Sequence, residues 1–283
     1  MSTQYLSPDD QWDDPFEIDT TVAHPARRYN YFLGGKDNFE ADRISGDDAI
    51  ANFPTIKVAA MENRRFLRRA VTFLVKEAGV RQFLDIGTGI PSADNVHEVA
   101  QSIAPEARVG YVDNDPIVLA HARRLLSRVS DGTTTYIHAD LRDPAVILDD
   151  PDLRRTLDLR QPTALMLLSV VHFVQDADDP YGHIAKLTAA LAPGSYLAMS
   201  HATLDFMSTA GHEAVDDWHD RERNRTRDPF RPRTKAEFSR FFEGMELVKP
   251  GVVPIPEWRT EAAPPDRPSA EDAMAYAAVA RIP

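Results

Sequence analysis

Two periods of apolar spacing divide this chain. After a polar lead comes a long pattern of period near 3.6. Over residues 57–78, Leu67, Val71, Leu74, Val75 and Ala78 fall on one face, and Gly79 supplies a left-handed stop. Short apolar runs then alternate with helical patterns. QFLDI (82–86) reads as a buried strand, and Val96, Val99, Ala100 and Ile103 form a helical face ended by Pro105. RVGYV (108–112) is a second strand. A helix follows with Asp115 as cap and Pro116 as first residue, its face carrying Leu119, Ala122, Leu126 and Val129. TTYIHA (134–139) and the continuous run ALMLLSVV (164–171) are strands, the latter apolar throughout as a central parallel strand should be. HIAKLTAALA (183–192) is helical, Pro193-Gly194 turns, and SYLAMS (195–200) is a fifth strand.

Beyond it lies a polar helical stretch over 203–227. Thr234 and Glu237 then form a capping box before Phe238, Phe241 and Phe242. MELV (245–248) and AMAYAAVARI (273–282) read as closing strands joined by a Pro-rich loop, so an antiparallel return is expected. The sum is an α/β fold: a Rossmann-like, seven-stranded, mostly parallel sheet with helices on both faces, plus an N-terminal helical cap. The expected division is an acidic flexible tail at 1–21, a cap or lid at 22–80 and the sheet domain at 81–283.

Composition narrows the chemistry. The chain has no cysteine, which removes thiolate ligands and nucleophiles and fits a cytoplasmic location. No apolar run approaches the roughly 20 residues of a membrane span. A net charge of −12 disfavours nucleic acid as a partner. The exception is the six-arginine stretch Arg221–Arg233, read as a solvated surface balanced by Asp216, Asp217 and Asp220. No histidine–carboxylate spacing suggests a metal.

In an open α/β sheet, ligands bind at the carboxyl ends of the strands. Gly87 and Gly89 follow the first strand, where glycine permits close backbone approach. Asp113 ends the second, 113 − 89 = 24 residues after Gly89, near the spacing of an acid that accepts from ribose hydroxyls. Asp140 ends the third, in reach of an adenine amino group. Together they predict a nucleoside site. A third glycine and a cradled pyrophosphate would mark a dinucleotide, but Pro91 or Ser92 stands at that place. Asp85 suits an ammonium, or else its own loop amides.

The strings FLDIGTGIP (83–91), YVDNDP (111–116), HADLRDP (138–144), LLSVVHFV (167–174) and LAPGSYLAMSH (191–201) resemble an actinobacterial class I methyltransferase family of formerly unknown function. So do RRYNYFLGGKDNFEADR (27–43), ENRRFLRRAV (62–71) and PSADNVHEVAQ (91–101), and the resemblance spans about 22–282. It implies S-adenosylmethionine as cofactor, S-adenosylhomocysteine as product, and methyl transfer to an unnamed small molecule. By the resemblance, Gly87, Thr88 and Gly89 lie against the methionine moiety. Asp113 holds the ribose, Asn114 sits beside the adenine, and Asp140 with the Leu141 amide reads the adenine edge. Ser169 lies near the sulfur. Arg64 either pairs with the cofactor carboxylate or faces solvent. His172 is a candidate general base or a structural histidine, with His201 second. The Tyr29–Asn38 segment is a lid or a structural cap. The alternative to an enzyme is a non-catalytic sensor of the same cofactor; a nicotinamide dehydrogenase ranks below both.

Overall fold

A computed structural model describes residues 19–126, 133–208, 215, 218 and 229–283. The expected acidic tail lies almost wholly outside them, as does most of the helical stretch over 203–227. The side chains of Ala122, Leu126 and Val129 also lie outside. Residues 203–208 are turn and coil, and Val215 and Trp218 are helical.

Three helices precede the sheet: α1 (Pro25–Phe32), α2 (Glu40–Asn52) and α3 (Ile56–Lys76). The amphipathic stripe predicted for 57–78 is α3. It buries Phe66, Leu67, Ala70, Val71, Phe73 and Leu74, and the chain leaves it at Gly79 with φ 71°. Parallel strands β1 (Gln82–Ile86), β2 (Arg108–Asp113), β3 (Thr134–His138), β4 (Thr163–Leu168) and β5 (Tyr196–Ala202) follow. Helices α4 (Val96–Ile103), α5 (Pro116–Leu126), α6 (Pro144–Asp149), α7 (Pro151–Thr156) and α8 (Pro180–Ala189) intervene. The capping box at Thr234 forms as predicted and opens a short helix, Lys235–Ser239.

The sheet runs β3-β2-β1-β4-β5-β8-β6, with β8 (Ala275–Arg281) antiparallel between β5 and the two-residue β6 (Glu246–Leu247). The antiparallel return is therefore β8 itself. The sequence gives no sign of β7 (Val253–Pro254), which also pairs with β8. It lies inside the Pro-rich segment expected to be plain loop. That segment packs on α3: Trp258 is fully buried with its ring 5.3 Å from Phe66 and 6.0 Å from Phe73, both edge-on. Arg69 donates to the Trp258 and Ile255 carbonyls at 2.8 and 2.7 Å.

The period of two along each strand sorts side chains between two cores. Phe83, Tyr111, Met166, Ala198 and Val279 face α3 and α4. Leu84, Val112, Leu167, Met199 and Ala278 face α6, α7 and α8. The same alternation puts Asp85 and Ser200 on the α3 side, toward Asn63 and Arg64. The apolar run expected over 164–171 stops as a strand at Leu168, because Ser169 turns into the left-handed region at φ 54°.

Phe66 makes the tightest joint between α3 and the Trp258 segment. Phe66→Ala should lower stability by about 3–5 kcal/mol, read as a lower urea midpoint at unchanged m-value.

Candidate functional site

The carboxyl ends of β1, β2, β3 and β4 open on one cavity of about 250 Å³, roofed by α1, α2 and α3. Asp85, Gly87, Thr88, Gly89, Asp113, Asn114, Asp140, Leu141, Ser169, Arg64 and His172 all line it. Of the sequence-predicted residues, these eleven are brought together, whereas His201 and the Leu33–Asn38 segment are not on the wall.

Gly87 and Gly89 have φ of 76° and 68°. They are glycines for different reasons. A Cβ on Gly87 would sit 2.3 Å from Val170 Cγ2, whereas one on Gly89 would meet nothing within 4 Å. Gly87 is thus demanded by packing between β1 and β4, and Gly89 leaves backbone open to the cavity. The Gly89 amide donates to Asp113 Oδ2 at 2.8 Å, and the Asp115 amide to Asp113 Oδ1 at 2.9 Å. Asp113 therefore ties the first loop to the second strand end and keeps a lone pair on each oxygen. Burial raises its pKa, an effect the neighbouring His24 opposes.

Asp115 is fully buried and caps α5 through the Ile117 amide at 3.1 Å. It also takes a bidentate pair from Arg27, at 2.8 and 3.1 Å, with His24 Nδ1 3.1 Å away. Sequence reading missed His24 and Arg27. Their partners lie some 90 residues away, and no local pattern reports that. His24 lines the cavity, and its Nε2 is buried with no hydrogen-bond partner among the described residues.

Asp140 is more heavily engaged than an adenine acceptor needs to be. Oδ1 accepts from the Arg142 amide and Nε, each at 2.8 Å; Oδ2 accepts from Arg142 Nη2 at 2.6 Å and Asn114 Nδ2 at 3.0 Å. Burial pushes its pKa up, but these donors overcome that and hold it at about 2. The adjacent Leu141 amide meets no acceptor among the described residues.

Asp85 is the opposite case. Burial pushes it up to about 7, against the pull of Arg64 and a hydrogen bond from Thr88. Arg64 is not a plain solvent-facing arginine: Nη2 donates to the Ala93 and Asp94 carbonyls at 2.6 and 2.8 Å. Ser169 is held by Ser200, whose carbonyl and Oγ accept from the Ser169 amide at 3.1 and 3.0 Å. Ser200 Oγ donates to Asn63 Oδ1 at 2.5 Å, and Asn63 Nδ2 donates to Tyr29 Oη at 3.0 Å. One hydrogen-bond chain thus joins α1, α3, β5 and the end of β4. Tyr29 and Phe32 reach the cavity wall, and the Leu33–Asn38 part of the expected lid does not.

The two histidines differ. His172 sits in a 3₁₀ turn, Val171–Phe173, with the Ala202 amide donating to Nδ1 at 3.4 Å. Burial, then the positive potential near His201, Arg233 and Arg28, puts its pKa well below the ordinary value. His201 has both nitrogens committed, Nδ1 to the Ala202 carbonyl at 2.8 Å and Nε2 to Arg233 Nη1 at 3.0 Å. It is absent from the cavity wall, and burial takes its pKa down to about 3. That removes it as second candidate.

Arg233 corrects the reading of the arginine stretch as a solvated surface. It is 1% exposed, donates to the Val171 and Val174 carbonyls at 3.1 and 2.9 Å, and pairs with Asp176 at 2.7 Å. Arg231 also pairs with Asp176. The rest of the stretch, 221–228, lies outside the described residues. Among them there is no cluster of metal-ligating side chains, and no helix is long and apolar enough to cross a membrane.

Comparison with known proteins agrees with this geometry. A family model described as S-adenosyl methyltransferase matches residues 11–283. A DUF574-family protein from Streptomyces avermitilis superposes with a TM-score of 0.88 at 49% identity, over 94% of this chain and 100% of that one. A structure described as a putative methyltransferase from Thermobifida fusca gives 0.85 at 41% identity, over 96% and 99%. No curated protein matches significantly. By this family match and its likeness to these actinobacterial structures, the chain belongs to the S-adenosyl methyltransferase family and is an S-adenosylmethionine-dependent enzyme.

Proposed function

We propose that this enzyme methylates a small molecule, with the cofactor laid across the ends of β1, β2 and β3 and the acceptor held under the cap. The observation that carries the reading is the convergence of unmatched polar groups on one cavity. Among the described residues the Leu141 amide and His24 Nε2 meet no partner, Gly89 is open, and burial raises the Asp85 pKa against the pull of Arg64. Burying such groups costs free energy unless a ligand satisfies them.

Each group suits one part of S-adenosylmethionine. Asp113 has a lone pair left on each oxygen for the ribose hydroxyls, and His24 is close enough to act on its charge. The Leu141 amide suits an adenine ring nitrogen. Asp140 then holds Arg142 and Asn114 in place at the adenine edge rather than accepting from the ring itself. Asp85 suits the ammonium. Arg64 and the Gly87–Gly89 backbone suit the methionine carboxylate and chain.

Bound there, the cofactor supplies a methyl group on a sulfonium, open to direct displacement. The protein's part is alignment and exclusion of water. Ser169, fixed in a left-handed conformation by Ser200, shapes the sulfur end. His172 is neutral at working pH, and the amide on Nδ1 leaves its proton on Nε2. It is better suited to orient the acceptor by donating a hydrogen bond than to act as a strong base. The acceptor is read as small because the cap helices and the apolar cluster of Ala49, Phe53, Val215 and Trp218 wall that side of the cavity.

The direct test is transfer of a labelled methyl group into cell extract. Label should appear in the fraction that crosses a dialysis membrane; label retained with protein or nucleic acid overturns the small-molecule reading. Asp113→Ala should weaken S-adenosylhomocysteine binding by roughly 10–150-fold in calorimetry, the loss of a charged hydrogen bond. Affinity should also depend on pH. Only ionised Asp85 attracts the ammonium, so binding weakens as pH falls below about 7 and levels off above it. Asp85→Asn should flatten that profile.

A further inference from the structure

We propose that the methyl acceptor is a planar aromatic small molecule; this rests on the cofactor placement above and concerns the chamber beyond it. That chamber lies between the cap and the segment after β5. Phe32, Phe53 and Ile56 come from the cap side, and Leu204, Trp218 and Phe230 from the other. Its aromatic rings form a continuous line. Phe53 meets Trp218 at 5.5 Å and 87°, Trp218 meets Phe230 at 6.3 Å and 74°, and Phe230 meets His172 at 5.3 Å and 64°. The line thus leads from the far wall to the residue that faces the reacting end.

Successive rings in this wall are turned sharply against one another, so the chamber presents both ring edges and ring faces. A flat aromatic guest finds an edge-to-face or offset partner on several sides, and a saturated guest of the same skeleton gains dispersion alone. Met207 and Met274 complete the wall with adaptable thioethers that pack well on ring edges. Negative charge is confined to one end of the same axis. Among the described residues, the acids on the cavity wall are Asp85, Asp113 and Asp140, all at the cofactor end. A molecule with an apolar ring body and one polar atom therefore enters ring-first, with that atom left near His172 and Ser169.

The probe pair is 2-naphthol and its saturated counterpart decahydro-2-naphthol. Each is titrated by calorimetry and tryptophan fluorescence into the protein, with and without S-adenosylhomocysteine. The aromatic probe should bind roughly tenfold more tightly than the saturated one, as two ring pairs predict. Trp218→Leu should bring that ratio close to one, and Trp218→Phe should keep most of it, which separates wall chemistry from misfolding. Equal affinity for both probes, no naphthol binding, or a ratio unchanged in Trp218→Leu overturns the proposal. Titration of S-adenosylhomocysteine alone reads the cofactor site separately, so failure there is distinguishable from failure of the chamber.

Discussion

Two adjacent carboxylates, Asp113 and Asp115, are buried at the end of β2, and such charges cannot be left unpaired. Asp113 solves the problem with backbone amides from its own loop and from Gly89. Asp115 needs a cation, and Arg27 from α1 supplies it with a bidentate grip, while His24 Nδ1 stands 3.1 Å from the oxygen that Arg27 Nε holds. The cap is therefore not an accessory laid over a finished domain. Its first helix neutralises a charge that the end of β2 would otherwise carry alone, and that pairing sets where Tyr29, Phe32 and the cavity roof stand.

From that anchor the cap is joined to the sheet a second time. Tyr29, Asn63, Ser200 and Ser169 pass hydrogen bonds from α1 through α3 to the ends of β5 and β4. One link is electrostatic and reaches the end of β2; the other is a neutral network and reaches the end of β4. Between them the roof is registered at both ends of the cofactor cavity.

The parts legible in the sequence are those set by local period and by strand ends. The five parallel strands, α3, the capping box at Thr234, and the set Gly87, Gly89, Asp113 and Asp140 all follow from spacing within a few residues. What was hidden depends on partners distant in the chain. Arg233 looked like one of six solvated arginines, because nothing near it in sequence announces that its acceptors are at Val171, Val174 and His201. The two residues of β7 carry no alternation to be read. Trp258 sits in a Pro-rich stretch, and the α3 residues it packs on are some 190 residues earlier. His172 was visible by position, but its neutral state is a property of burial and of Arg233 nearby.

The burial of Arg233 has a consequence for how function is distributed along this chain. Its guanidinium holds the carbonyls on either side of the turn that carries His172, while Tyr181 and Phe241 flank it at 5.9 and 5.6 Å. The orientation of His172, a residue on the cavity wall, is thus written sixty residues downstream, in a position off that wall. Variation at that position would move the His172 turn, and with it part of the cavity wall. Genetic maps of activity in this enzyme should be drawn on its carbonyl contacts as well as on its cavity wall.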